Sequence, residues 1–191
     1  MLFLYFIVGL FTVINQQFQV PLKSALLPHD GNMTNALVTL LNFSWFLAYP
    51  FSEGFATRWV DRLGYRKTSV YSLLIFIAGL GFYEAAVLLH IYAPSYITIM
   101  GNPIFTGFFI FLSGSFVIGM AVTILQVVTG LYLDVNPVGK TTPLQRQMIG
   151  GTTNSIGMAI GPLVVSYIIF YGIPLHNVQS REFIWPVICL I

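Results

Sequence analysis

The stretch Thr57-Arg58-Trp59-Val60-Asp61-Arg62-Leu63-Gly64-Tyr65-Arg66-Lys67 lies between two long apolar runs, Asn35–Thr57 and Ser69–Ile91. Gly64 suits a tight turn between two helices. Asp61 stands among four cations (Arg58, Arg62, Arg66 and Lys67) where the first run ends. On charge alone the segment is a connector held on one side of a bilayer by its basic residues. The order of its residues is more specific than that, and the rest of the chain decides what the order means.

Outward from this connector, further apolar runs cover Leu2–Val20, Ile104–Leu133 and Met148–Tyr171, and a last one covers Phe183–Ile191. A membrane-spanning helix needs about 20 residues at a rise of about 1.5 Å each. Five runs meet that length and the last does not, so the sequence is expected to stop inside a sixth helix. One transmembrane domain over residues 1–191 follows, with spans near 2–20, 35–57, 69–91, 104–133 and 148–171 and a truncated sixth from 183. The first run is expected to be a mature helix. It lacks a basic start, and Asn15, Gln16, Gln17 and Gln19 occupy the place of a small-residue cleavage site. Short connectors rich in Pro, Gly and Asn punctuate the runs at Pro28–Asn32, Pro94–Pro103, Asn136–Pro143 and Gly172–Ser180.

Composition agrees with this reading. Hydrophobic residues make up 57% of the 191 and charged ones 7%, whereas a soluble domain is roughly one-quarter charged. No basic run suggests a nucleic-acid partner. The single cysteine, Cys189, and the scattered His29, His90 and His176 offer neither a disulfide framework nor a metal cluster. No nucleophile–base pair and no nucleotide-binding glycine loop is visible, so neither an enzyme nor a cofactor is expected. The 2–3 and 4–5 connectors with their helix ends hold Arg58, Arg62, Arg66, Lys67, Lys140 and Arg146, against Lys23 and Arg181 on the other side. This asymmetry places the N-terminus and the 2–3 connector in the cytoplasm of a multi-pass protein of the cell (plasma or inner) membrane.

Polar groups inside the spans are costly and mark interior or cavity faces. In the first helix Thr12, Asn15, Gln16 and Gln19 share one face, and Gln17 points away from it. In the fourth, Thr123, Gln126 and Gly130 share a face. In the fifth, Gly150, Asn154, Gly157 and Gly161 recur at roughly four-residue spacing. The glycines suit close helix packing. The amides of the first and fourth helices either bond between helices or line a cavity, where they would serve sugar hydroxyls as both donors and acceptors. The substrate-binding candidates are therefore Asn15, Gln16, Gln17, Gln19, Asn42, Gln126 and Asn154. Two intramembrane carboxylates, Glu53 and Glu84, are candidate proton sites, each with an ion pair or an interfacial position as the alternative.

Asp-Arg-x-Gly-aromatic-Arg-Lys between the second and third spans resembles the signature loop of the major facilitator superfamily. Ile124-Leu125-Gln126-Val127, Arg146, Asn154-Ser155-Ile156-Gly157 and Gly161-Pro162 resemble its fucose permease and glucose/galactose permease branch, as does the first helix from Asn15 to Pro21. The resemblance implies the N-terminal six-helix bundle of a twelve-helix transporter, built as a 3+3 inverted repeat, whose C-terminal half is missing. It implies a conformational latch at Asp61, Arg62, Gly64, Arg66 and Lys67, with Thr57 where the family usually has glycine. It also places Gln126 and Asn154 at sugar-contacting positions and Gln17 where proton-coupled members carry an aspartate. Gly130-Leu131 and Gly151 depart from the branch pattern.

The implied function is alternating-access transport of a small neutral sugar such as a hexose or fucose, within the lipid bilayer. Glutamine does not titrate, so facilitated uniport is expected, or coupling through Glu53 or Glu84. The competing expectations are a non-transporting membrane sensor or pseudogene product, and a half-transporter that works as a dimer.

Overall fold

The computed structural model describes residues 1–17, 32–99, 102–137 and 139–169. Lys23, His29, Gln19, the connector at 172–180, Arg181, Cys189 and the run from 183 lie outside the described residues. Helix α1 is Leu2–Gln17. The next helical stretch, Asn32–Tyr92, is broken at Gly64, whose φ of 78° and ψ of 165° are open to glycine alone. We number its two arms α2 (32–63) and α3 (65–92). The connector is thus shorter than its charge pattern suggests: one residue leaves the helical conformation, and the basic residues stay on the two helix ends.

The 3–4 connector forms an antiparallel hairpin, β1 (Tyr96–Ile99) and β2 (Asn102–Phe105), with Tyr96 opposite Phe105 and Thr98 opposite Pro103. Its β-branched and aromatic residues favour extended backbone. Ile104 and Phe105 therefore belong to a strand, and α4 starts at Thr106 rather than at Ile104, running Thr106–Val135. Helix α5 covers Pro143–Val164, starting about a turn earlier than its apolar run. Thr142 and Gln145 form a reciprocal capping box there, and Pro143 takes a first-turn position where its missing N–H costs nothing. Pro162 cannot donate within this helix, and the chain widens into a π-helical turn, Val165–Ile169, directly after it.

Three clusters of buried side chains fix the direction of the helices. Leu41 of α2 packs with Ala86 of α3 and with Phe105, Phe108 and Phe111. Val8 of α1 packs with Trp45, Ile118, Val122 and Leu125, and Ala56 and Val60 pack with Ile124 and Val128. Helices α2 and α4 therefore run one way and α3 the other. Tyr5 lies beside Gly130, and Asn15 bonds to Tyr83, itself hydrogen-bonded to Ser115, so α1 is antiparallel to α4. Residue 1, Gly64 and the α4–α5 connector consequently share one end of the bundle. The hairpin and the C-terminal ends of α1 and α5 share the other.

The bundle carries large apolar side chains on its outside along its length. Phe3, Phe43, Phe46, Phe51, Leu74, Ile77, Met148, Leu163 and Tyr167 are all exposed, and exposed apolar surface on this scale marks contact with something other than water. Within, buried serine and threonine hydroxyls other than Ser115 are satisfied by backbone carbonyls, either four residues back (Ser52 to Ala48, Thr123 to Gly119) or across helices (Ser44 to Leu112). That is the behaviour expected where water cannot serve as partner. Three helical stretches, Asn35–Tyr92, Thr106–Val135 and Pro143–Tyr167, are long and apolar enough to cross a membrane, and α1 is a shorter apolar helix.

Candidate functional site

The glycines of α5 meet α1 along a seam. Gly150 lies against Leu133 and Tyr5, Gly157 against the backbone of Phe6 and Leu10, and Gly161 against Val13. On the α1 side, Gly9 rests on the backbone carbonyl and the side-chain oxygen of Asn154. Packing is thus the role of this stripe, and Asn154 takes part in it. Its Oδ1 is enclosed at the crossing without a hydrogen-bond partner among the described residues. The fourth helix makes a matching approach to the second, where a Cβ on Gly119 would lie 2.7 Å from the carbonyl oxygen of Trp45.

The polar face of α1 divides in two. Thr12 is buried and spends its hydroxyl on the carbonyl of Val8. Asn15 is half-buried and receives a hydrogen bond from Tyr83 of α3, with the Tyr83 oxygen 3.1 Å from Oδ1. Gln16 and Gln17 are exposed at the end of the helix. Asn42 of α2 and Gln126 of α4 are half-buried. Gln126 precedes Gly130 by one turn, and Gly130 faces Tyr5 and Gln147, which turns this side of α4 toward α1 and α5.

The candidates are not gathered at one point. Asn154 lies level with Gly9, near the middle of the bundle, and Leu125, the neighbour of Gln126, packs in the cluster of Val8. Asn15 is six residues further along α1, about 9 Å toward the hairpin. Gln126 and Asn154 therefore share a depth, and Asn15 marks a second level. Tyr83 and Ser115 join Asn15 there, their oxygens 2.7 Å apart. Neither was singled out in the sequence: both sit in apolar runs, and their partners are distant along the chain.

The connector residues behave differently from the interior amides. Asp61, Arg62, Gly64, Arg66 and Lys67 are all exposed. Among the described residues Asp61 forms no ion pair with its neighbouring cations. Glu53 is exposed and Glu84 half-buried, and among the described residues neither is ion-paired.

A polar cluster that the sequence did not reveal closes the same end. Arg146 is buried, with 6% of its surface exposed, and its guanidinium donates to the carbonyls of Leu133, Asp134 and Thr141. The last carbonyls of α4 have no helical partner of their own, and they carry the negative end of the helix dipole. A buried cation here is held by carbonyls, with no carboxylate bond among the described residues. Gln147 donates to the carbonyl of Gly130 at 2.9 Å and to Oδ1 of Asp134 at 2.8 Å, and Tyr5 donates to Gln147. Helices α1, α4 and α5 are tied together by side chains reaching backbone.

Among the described residues no group of His, Cys, Asp and Glu is placed to hold a metal ion. Comparison with protein-family models, with curated proteins and with solved structures finds no match for this chain.

Proposed function

We propose that the chain forms the N-terminal bundle of an alternating-access transporter of the major facilitator type, carrying a small neutral sugar such as a hexose or fucose. The observation that carries this proposal is a correspondence between two helix crossings. Gly9 of α1 sits on the carbonyl of Asn154 in α5, and Gly119 of α4 sits on the carbonyl of Trp45 in α2. From Gly9 to Gly119 is 110 positions, and from Trp45 to Asn154 is 109. The two offsets agree to within one residue, as expected of a repeat pairing helix one with four and two with five. The two partner helices also each contain an interior proline, Pro50 and Pro162.

In such a repeat the first and fourth helices are equivalent, and the substrate site lies near the midplane between the two halves. Asn15 and Gln126 lie on those helices, and Asn154 lies at the crossing of one of them. Carboxamides are uncharged and offer both donors and acceptors, which suits the hydroxyls of a neutral sugar. Asp61, exposed and unpaired among the described residues, forms the latch with Arg62, Arg66 and Lys67, its partners supplied by the other half of the transporter. With glutamine at positions 17 and 126, transport is uniport unless Glu53 or Glu84 carries a proton.

The test is entrance counterflow, which needs no ion gradient. The product of the complete open reading frame, reconstituted in liposomes preloaded with D-glucose, D-galactose or L-fucose, is expected to draw in the matching radiolabelled sugar transiently above equilibrium. A correctly folded, membrane-inserted product that exchanges none of the three would contradict the proposal and favour a non-transporting sensor.

A further inference from the structure

We infer that Tyr83 and Ser115 are positioning residues that occupy the carbonyl oxygen of Asn15 and leave its two amide N–H groups for the substrate. The inference rests on the sugar-transport proposal and specifies what one of its amides contributes.

The tyrosine ring is fixed from two sides. It stacks on Phe111 with centroids 3.8 Å apart and planes 7° from parallel. On another side lies Gly114, where a Cβ would come within 2.8 Å of the ring. The next residue, Ser115, places its hydroxyl 2.7 Å from the phenol oxygen, and Asn15 Oδ1 lies 3.1 Å from it. A phenol has one proton, so the order of donation must be decided. Among the described residues, the other buried serine and threonine hydroxyls (at 12, 44, 52, 68, 69, 72, 123 and 129) each donate to a backbone carbonyl. Ser115 does not, which leaves its proton for Tyr83. The chain therefore runs from the Ser115 hydroxyl to the Tyr83 oxygen, and from the Tyr83 hydroxyl to Asn15 Oδ1. Hydrogen bonds in such a chain polarise one another.

The consequence is directional. With Oδ1 engaged, half-buried Asn15 presents N–H donors, and a donor pair takes an acceptor such as a sugar hydroxyl oxygen or ring oxygen. Reversing the chain would flip the amide and present its oxygen instead.

The experiment uses the product of the complete open reading frame in liposomes, with the sugar that exchanges best among D-glucose, D-galactose and L-fucose as the probe. Tyr83→Phe keeps the stack on Phe111 and removes only the hydroxyl; it is expected to raise KM about five- to tenfold with kcat within about twofold. Ser115→Ala is expected to shift KM the same way by less. Asn15→Asp keeps an oxygen for Tyr83 and removes both donors, and is expected to raise KM at least about tenfold. In the unaltered protein, deoxyfluoro analogues, which retain a weak acceptor, are expected to compete better than deoxy analogues at one ring position. Wild-type exchange with KM unchanged in Tyr83→Phe, or with Asn15→Asp binding normally, overturns this inference alone. So does equal competition by deoxy and deoxyfluoro analogues at every position. Absence of exchange in the wild type overturns the sugar proposal and this inference with it.

Discussion

At the residue scale, Arg146 is the most exacting position in the bundle. Three carbonyls of the α4 end and its connector depend on one guanidinium. Removing a partner from buried acceptors costs about 1–3 kcal/mol, so Arg146→Ala is expected to lower stability in detergent by at least that much. Arg146→Lys is expected to recover only part of the loss. An ammonium carries the charge but cannot spread donors over three acceptors in the guanidinium's fixed fork. Thermal unfolding of the two variants beside the parent checks the order. Asp61→Asn should behave in the opposite manner. Asp61 is exposed and unpaired among the described residues, so its loss should change stability by less than about 0.5 kcal/mol while altering the rate of sugar exchange. The charge of Arg146 was legible in the sequence, where it counts toward topology, but its burial was not. A basic residue four positions into a helix looks exposed until the end of the preceding helix is known to pass above it.

At the scale of elements, the turn at Gly64 and the close packing of the α5 glycines were legible because each follows from a local rule, whereas α1 as their partner was not. Glycine between charged helix ends marks a turn, and small residues every fourth position mark a close approach. Gly64→Ala places a side chain where backbone geometry admits essentially glycine alone, and is expected to cost about 1–3 kcal/mol. Gly157→Leu drives a branched side chain into the backbone of Phe6 and Leu10 and should separate α1 from α5. Its effect, about 1–3 kcal/mol or more, is expected to exceed that of Gly151→Leu, where a Cβ meets open space. Unfolding midpoints of the pair measure the difference. The hairpin between α3 and α4 escaped notice because its residues, Ile104 and Phe105 among them, continue an apolar run. A short apolar strand and the start of a buried helix look alike by hydropathy. The Asn15–Tyr83–Ser115 chain escaped for another reason. It joins three helices at positions 68 and 32 residues apart, and no local periodicity reports such a pairing.

At the scale of the whole molecule, one end of the bundle gathers the six described Lys and Arg residues and the other the hairpin. Arg58, Arg62, Arg66 and Lys67 flank the turn at Gly64, and Lys140 and Arg146 belong to the connector on the same end. Among the described residues the charge asymmetry read along the chain is also an asymmetry in space, the pattern expected if this end is the cytoplasmic one. If transport is uniport, sugar uptake by the reconstituted protein should proceed without alkalinisation of the medium, and Glu53→Gln and Glu84→Gln should leave uptake in place. Alkalinisation lost in either variant would assign the proton to that carboxylate instead. Everything proposed for this chain presupposes that its two ends lie on opposite faces of a bilayer, and site-directed thiol labelling in intact cells and inverted vesicles tests that directly. With Cys189 replaced by Ser, single cysteines at Arg66 and Lys140 are expected to react with a membrane-impermeant maleimide only from the cytoplasmic face, and one at Ile97 in the hairpin only from the opposite face. Labelling of all three from the same face would contradict the account.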